Sequence, residues 1–515
     1  MKRFSEIIFV IFIIAISILV IFFMSKKNKE NIKEENAEIE NKKEDIRLAV
    51  LNLDTLNPIL TKNRYVYDLT NLLYDSIINL DENYMPSLEL GESFEKLSDT
   101  KYRVKLKDVN WNNMEDKLTP DDVKFTVDKI KEHKGIYFEN VKNIKEINIL
   151  DKNTFEFILF NKDKYFKYNL TFPIMKKVED NVFIDSAGYG VPHGIGMYFL
   201  SKIDGDILHF KLNEKYYGFK EKNKMPNIKT VLVKRYKDAN NMYTDFKEGS
   251  IDLLETGKSD VENFIGNFGY IKKPYKGRDF TFLGFNTQKV EDVSLRQSIF
   301  YVLDKNEILN GIEGVSKSTF PLDYGSFVYK KDINTKENLD MAKSILEKAG
   351  YEIKNEVLKN GNKVELNIIL NKAKAEELRL GENIKSNLEK NGIKVNLYPL
   401  EREDYINRLN TKNYDVAIIT IRNNFTPSLE SFFGKDNYFN YINPNMDEIL
   451  KEIDNKDEKD ADILYEKLEE IYLKDIPFIP LYRNERYLFL SSALNGKIVP
   501  NSHNIFENFI SWYRK

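Results

Sequence analysis

The residues that could carry chemistry fall short of every pattern they approach. Gly257-Lys258-Ser259 has the closing residues of a phosphate-binding loop, but such a loop wraps a phosphate only with a glycine five residues ahead, and Asp252 stands there. Gly188, Gly190, Gly194 and Gly196 approach a dinucleotide fingerprint, yet His193 occupies the third glycine position. His133, His193, His209 and His503 are too far apart in sequence for a zinc-protease pair on one helix, and no nucleophile elbow of the G-x-S-x-G kind occurs. The absence of cysteine removes thiolate nucleophiles, disulfides, Cys-ligated zinc and lipid attachment through Cys. Carboxylates abound, but none is marked as a glycosidase pair. The expectation is a protein that is not an enzyme, with no metal and no cofactor.

The elements around those residues describe a large body of more than one domain. A chain of 515 residues exceeds one compact core, so two or three domains are expected. Its 78 basic and 81 acidic side chains leave a net charge of −3, which gives no positive field for a phosphate backbone and excludes nucleic acid as a partner. Ile7 to Met24 is an apolar run softened only at Ala15 and Ser17. At helical rise it spans roughly 27 Å, close to the ~30 Å bilayer core. Lys2 and Arg3 precede it, and Phe22-Phe23-Met24-Ser25-Lys26-Lys27 offers no small-x-small cleavage site, so an uncleaved signal-anchor is expected over 1–24. The Lys, Glu and Asn-rich stretch next to it, 25–45, reads as a solvated tether.

From Ile46 onward short β-branched runs alternate with amphipathic helices. Val364–Leu370, Ile393–Pro399 and Tyr414–Ile421 read as strands, and Ala373–Asn391 and Arg402–Asn410 as the helices between them, which predicts a parallel sheet covered by helices. Thr119-Pro120-Asp121-Asp122 and Asn443-Pro444 read as helix starts, and Gly350 and Gly392 as helix stops.

Several stretches, in order, resemble the bacterial extracellular solute-binding proteins of family 5, which serve oligopeptide, dipeptide and nickel ABC importers. Leu56-Asn57-Pro58 with Pro86-Ser87-Leu88 resembles the N-terminal signature of that family. Val109-Asn110-Trp111 followed by Thr119 to Phe125 is similar to its tryptophan strand and T-x-x-D-V-x-[FY] helix start. Gly194-Ile195-Gly196-Met197-Tyr198 stands where the family has G-T-G-P-Y, and a tight turn with positive φ is expected there. Phe285-Asn286-Thr287, Leu295 to Ile299, Leu303-Asp304-Lys305, Ala342 to Tyr351 and Ile476 to Tyr482 match later motifs, so the resemblance covers about residues 48–515. Trp111 is expected in a core, and Arg296 and Asp304 at helix ends.

The resemblance implies an α/β, two-lobed periplasmic-binding-protein-like fold of type II with an N-terminal transmembrane helix. Lobe one would take 46–275 plus 484–515, with an extra subdomain at 85–185, and lobe two 276–483. Crossovers are expected near Thr281–Asn286 and Ile479–Tyr482, with Phe285, Asn286 and Pro480 as hinge residues. It also implies the function: an extracytoplasmic substrate-binding subunit on the outer face of the cell membrane, capturing a peptide or related small solute and passing it to an ABC permease with its ATPase. A tethered sensor or scaffold that kept the fold without transport is the alternative.

Ligand-binding residues implied are Arg422, Asn423, Asn424, Phe425, Tyr441 and Tyr65. Peptide binders of the family usually carry an aspartate where Asn423 stands, pairing with the peptide's α-ammonium group, and a neutral amide cannot supply that charge. Either the ligand lacks a free amine or presents an anion to Arg422, or Arg422 points to solvent and the alignment is displaced; the sequence leaves both open.

Overall fold

The computed structural model of the protein describes residues 45–112, 114–185, 193–219, 224–257, 261–266, 269–329, 333, 337–456 and 460–515. The expected anchor, the tether up to residue 44, Gly188, Gly190, Lys258 and Ser259 lie outside the described residues. No helix among the described residues is long and apolar enough to cross a membrane.

The strand–helix alternation late in the chain forms as its periodicity predicts. Glu365–Asn371, Lys394–Leu400 and Val416–Arg422 pair in parallel, joined by the helices Ala375–Lys390 and Arg402–Asn410. Ile368 and Leu370 are wholly buried, as a sheet covered by helices requires. Gly392 closes the first helix at φ +82°, a conformation that L side chains resist. The helix Pro120–His133 is opened by the Thr119 amide donating to Asp122 Oδ2 at 2.9 Å, and Pro444–Asn455 by Asn443, whose side chain accepts from the amides of Asn445 and Met446.

These parallel strands belong to a seven-stranded mixed sheet whose centre is made by two long antiparallel strands, Tyr270–Phe285 and Phe478–Ser491. Each feeds two apolar cores. Phe280, Phe282, Phe478 and Ile479 pack in one with the parallel strands, while Tyr275, Leu488 and Leu490 pack in the other with Trp111 and Trp512. That second core also takes in a four-stranded sheet, Asp45–Leu51, Thr230–Tyr236, Ile207–Leu212 and Tyr198–Asp204, and a second four-stranded sheet of antiparallel strands between Gly91 and Leu159.

The change from one core to the other coincides with a break in strand register between Lys276 and Phe280. Gly277 sits in that bulge because a Cβ there would lie 2.2 Å from Asn484 Oδ1, which accepts from the Asp279 amide at 2.8 Å. Phe285 and Asn286 lie at the far end of the first long strand, inside one core. Pro480 marks a second, smaller register shift within the same core. The strands change cores some residues away from these three, at the bulge where Gly277 leaves room for Asn484.

Gly194 and Gly196 do not adopt positive φ. They are required by close approach: a Cβ would meet the Leu73 carbonyl oxygen at 2.0 Å from Gly194 and the Leu73 carbonyl carbon at 2.5 Å from Gly196. The Gly196 amide donates to that oxygen at 3.0 Å, docking this stretch on the end of the helix Arg64–Leu73. Trp111 is 1% exposed and lies in the core. Arg296 closes a helix, donating to the carbonyls of Asp475 and Ile476, and Asp304 caps another by accepting from the Asn306 amide. Gly194→Ala should lower stability by about 1–3 kcal/mol or more in urea denaturation, since the clash is with backbone; an unchanged midpoint would contradict this docking.

Candidate functional site

A cavity of about 1470 Å³ opens beside the register break. One wall is the start of the helix Arg64–Leu73, whose cap Asn63 accepts from the Tyr65 amide. Arg64 and Tyr67 project from it into the cavity, and Asp68, one turn on, holds Arg64 at 3.1 Å. A second wall is built from Ile136 to Asn143 and Phe160 to Thr171. The floor is Arg278, from the bulge, with Arg422, at the end of the strand Val416–Arg422, and Asn424, Phe425 and Thr426 in the segment just beyond it.

Arg278 is held in place without being neutralised. Its carbonyl accepts from the Asn423 amide at 2.9 Å, its Nε donates to the Asn423 carbonyl at 2.7 Å, and its guanidinium lies 4.4 Å from the Phe425 ring centre. Burial and then the neighbouring Arg422 push its pKa below the usual arginine value. Arg422 is exposed, and although it faces Asp279 in register, neither guanidinium is held by a carboxylate among the described residues. Lining side chains with positive charge are Lys62, Arg64, Lys142, Lys162, Arg278 and Arg422, against Glu139 and Asp163. Two like charges facing a partly desolvated space repel, and an arriving anion relieves that repulsion. What this floor can do is hold a carboxylate or phosphate through paired guanidinium donors. Among the described residues no group of three or more His, Asp or Glu could hold a metal ion.

Of the residues expected at the site, Arg422, Asn424 and Phe425 come together on the cavity floor. Asn423 turns away: its Nδ2 donates to the Pro321 carbonyl at 2.8 Å, and its buried Oδ1 has no hydrogen-bond partner. Tyr441 lies in a core with its hydroxyl donating to Asp475 Oδ2 at 2.6 Å, and Tyr65 lines a separate cavity of about 20 Å³ with Asp68 and Glu255. Arg64, Tyr67 and Arg278 were not anticipated. The Asn63 cap and the Arg64–Asp68 spacing were readable signals for the first two, whereas nothing local marks Arg278 as facing a ligand.

Similarity to known proteins decides the family. The model of the family described as bacterial extracellular solute-binding proteins, family 5 Middle, matches residues 86–440. The chain belongs to this family. It is similar to the peptide transport periplasmic protein SapA of Salmonella typhimurium strain LT2, at 22% identity over 504 residues, 87% of this chain and 88% of that protein. Its fold resembles the unliganded open form of the periplasmic murein tripeptide-binding protein MppA, with a TM-score of 0.75 and 16% identity over 92% of this chain and 97% of that one. It equally resembles a nickel ABC transporter structure from Bacillus halodurans, with a TM-score of 0.75 and 18% identity over 89% and 98% of the two chains. This family-5 protein therefore has the two-lobed α/β solute-binding fold.

His503 tests the electrostatics of the cavity floor. Its ring packs edge-on to Phe425 with centroids 5.3 Å apart, and its buried Nδ1 has no hydrogen-bond partner. Burial, then the charges of Arg278 and Arg64, push its pKa down to about 4. An unfolded histidine takes up its proton near ~6.5, so between there and about 4 the unfolded state holds more protons. Stability from this group is thus full above ~6.5 and lost as the pH falls to about 4. Urea denaturation of wild type and His503→Gln at pH 7 and 4.5 should show wild type losing about 2–3 kcal/mol more than the variant; parallel losses would place the histidine's titration elsewhere.

Proposed function

We propose that this protein is the substrate-binding subunit of an ABC importer for solutes that carry an anionic group, captured between its lobes and delivered to a permease and its ATPase. The observation that carries the anionic class is the pair Arg278 and Arg422, two guanidiniums on the cavity floor with no carboxylate partner among the described residues. No acidic side chain stands where the family's peptide binders clamp an α-ammonium group, since Asn423 is neutral and turned toward Pro321. A cavity of about 1470 Å³ exceeds the ~300–1,000 Å³ of ordinary small-molecule pockets and leaves room for an oligomeric body behind the anion. Peptide transport by SapA and murein tripeptide binding by MppA agree with a peptide-like body that ends in a carboxylate.

In this reading lobe one is 46–275 plus 484–515, with the subdomain 85–185, and lobe two is 276–483. The lobes turn about the bulge Lys276–Phe280 and the facing Arg483–Glu485, where register breaks. Ligand contacts to both lobes favour the closed state, a population shift rather than a chemical step, so the protein itself is not an enzyme. Residues 1–24 anchor the body at the outer face of the membrane and 25–45 tether it, a reading supported by the apolar run Ile7 to Met24 without a cleavage site or a cysteine.

Thermal-shift and calorimetric titrations with acidic tripeptides, their C-terminally amidated forms and lysine tripeptides test the charge class. Binding to the native state raises the melting temperature, and the order expected is acidic above amidated above cationic. Loss of one charge-assisted contact in Arg422→Gln should weaken the acidic ligand by about 10- to 100-fold. Lysine tripeptides binding as tightly as acidic ones, or an unaffected Arg422→Gln, would overturn the reading.

A further inference from the structure

Arg278 has an unusual set of holders. An arginine in a core is ordinarily fixed by a carboxylate, which also cancels its charge. Here the holders are the Asn423 carbonyl at 2.7 Å, the Asn424 Oδ1 at 3.5 Å and the face of Phe425 at 4.4 Å. All three orient the guanidinium and leave its charge intact.

Phe425 is in turn clasped from segments distant in the chain. Tyr84 stacks on it with centroids 5.3 Å apart at 15°, and His503 meets its edge at 5.3 Å and 76°. Tyr84 is anchored by the Ser502 amide, which donates to its hydroxyl at 3.1 Å, and by an edge contact with Tyr324 at 5.1 Å. Tyr324 donates to the carbonyls of Phe425 and Thr426, both at 3.3 Å. Tyr84 and His503 are 2% and 5% exposed, so the rings that grip Phe425 are sealed from water, while Phe425 and Arg278 themselves are half-buried at the cavity.

We infer that Phe425, gripped by Tyr84 and His503, is the positioning residue that holds Arg278 ready for an anion while leaving it uncompensated. This rests on the anionic reading above for the ligand but not for the clasp itself. Phe425 lies just past the strand Val416–Arg422 of one lobe, whereas Tyr84 and His503 come from segments assigned to the other. The aim of the anion receptor is therefore set by how the lobes sit on each other, and a ligand that draws on Arg278 acts directly on the contact that spans them.

The test compares Phe425→Leu, which keeps apolar volume without a π face, with Phe425→Tyr, which keeps the face. Tri-glutamate and inorganic phosphate serve as probes in calorimetry. Phe425→Leu should weaken probe binding about tenfold and Phe425→Tyr by less than about twofold, at similar melting temperatures. Equal losses in both, or none in either, would overturn the proposal. If wild type binds neither probe, the ligand class falls and the clasp is judged without ligand, by NMR of arginine-labelled protein. The Arg278 Nε–H signal, identified by its loss in Arg278→Lys, should keep its ring-shifted position in Phe425→Tyr and lose it in Phe425→Leu. An identical signal in both variants would overturn the positioning role.

Discussion

One fully buried arginine, Arg483, organises the register break of the two long strands. Arg483, in the second long strand, is fully buried, with its Nε 2.6 Å from Asp323 Oδ1. Its Nη2 donates to the Pro321 carbonyl, and its guanidinium lies over Phe280 at 4.6 Å and Tyr324 at 5.2 Å. A buried charge is tolerated only when paired and hydrogen-bonded. Asp323 meets that demand: burial would raise its pKa, yet Arg483 and Lys276 hold it below the ordinary carboxylate range, with Ser318 Oγ and the Thr319 amide donating to it at 2.9 and 2.8 Å. The turn from Ser318 to Tyr324 is thereby pinned against both long strands where their register breaks.

The orientation of the ligand floor depends on that pinning. Pro321 offers its carbonyl to Arg483 and to Asn423 alike, so the Asn423 amide is drawn inward. Side chains of an extended segment alternate sides, so fixing Asn423 inward puts Arg422 and Asn424 outward into the cavity. The inward turn of Asn423 and the exposure of Arg422 beside it are thus one event. An aspartate at 423 would face the same carbonyl that the Arg483 guanidinium already serves, rather than the cavity.

The charge pattern on the floor then has a physical logic of its own. Arg64 is held by Asp68 and stays a wall element, whereas Arg278 and Arg422 have Asp279 nearby but are held by no carboxylate among the described residues. Carbonyl and aromatic holders give Arg278 a defined direction at no cost in net charge. Desolvation and mutual repulsion of the two guanidiniums raise the energy of this floor, which is the physical basis of the anionic class proposed for the ligand.

The alternation of strands and helices from 364 to 422, the caps at Thr119 and Asn443 and the stop at Gly392 were legible because they depend on neighbours within a few residues. Burial of Trp111 and capping by Arg296 were legible through family motifs that cover most of the chain. Tertiary structure decided the rest. Gly194 and Gly196 are needed for contact with Leu73 and not for their own φ, which no local pattern distinguishes. Phe285, Asn286 and Pro480 match their motifs, whereas the larger register break, at Gly277, is shaped by Asn484, more than two hundred residues away, which fills the space there. Arg278 is set into the floor by Asn423 and Phe425, and Asn423 is turned by a carbonyl that Arg483 also claims. By itself the sequence determined the family, the elements and the lack of catalytic motifs. Which charges face the cavity was settled only by side chains meeting across segments, since hydrogen bonding and burial are satisfied in space and not along the chain.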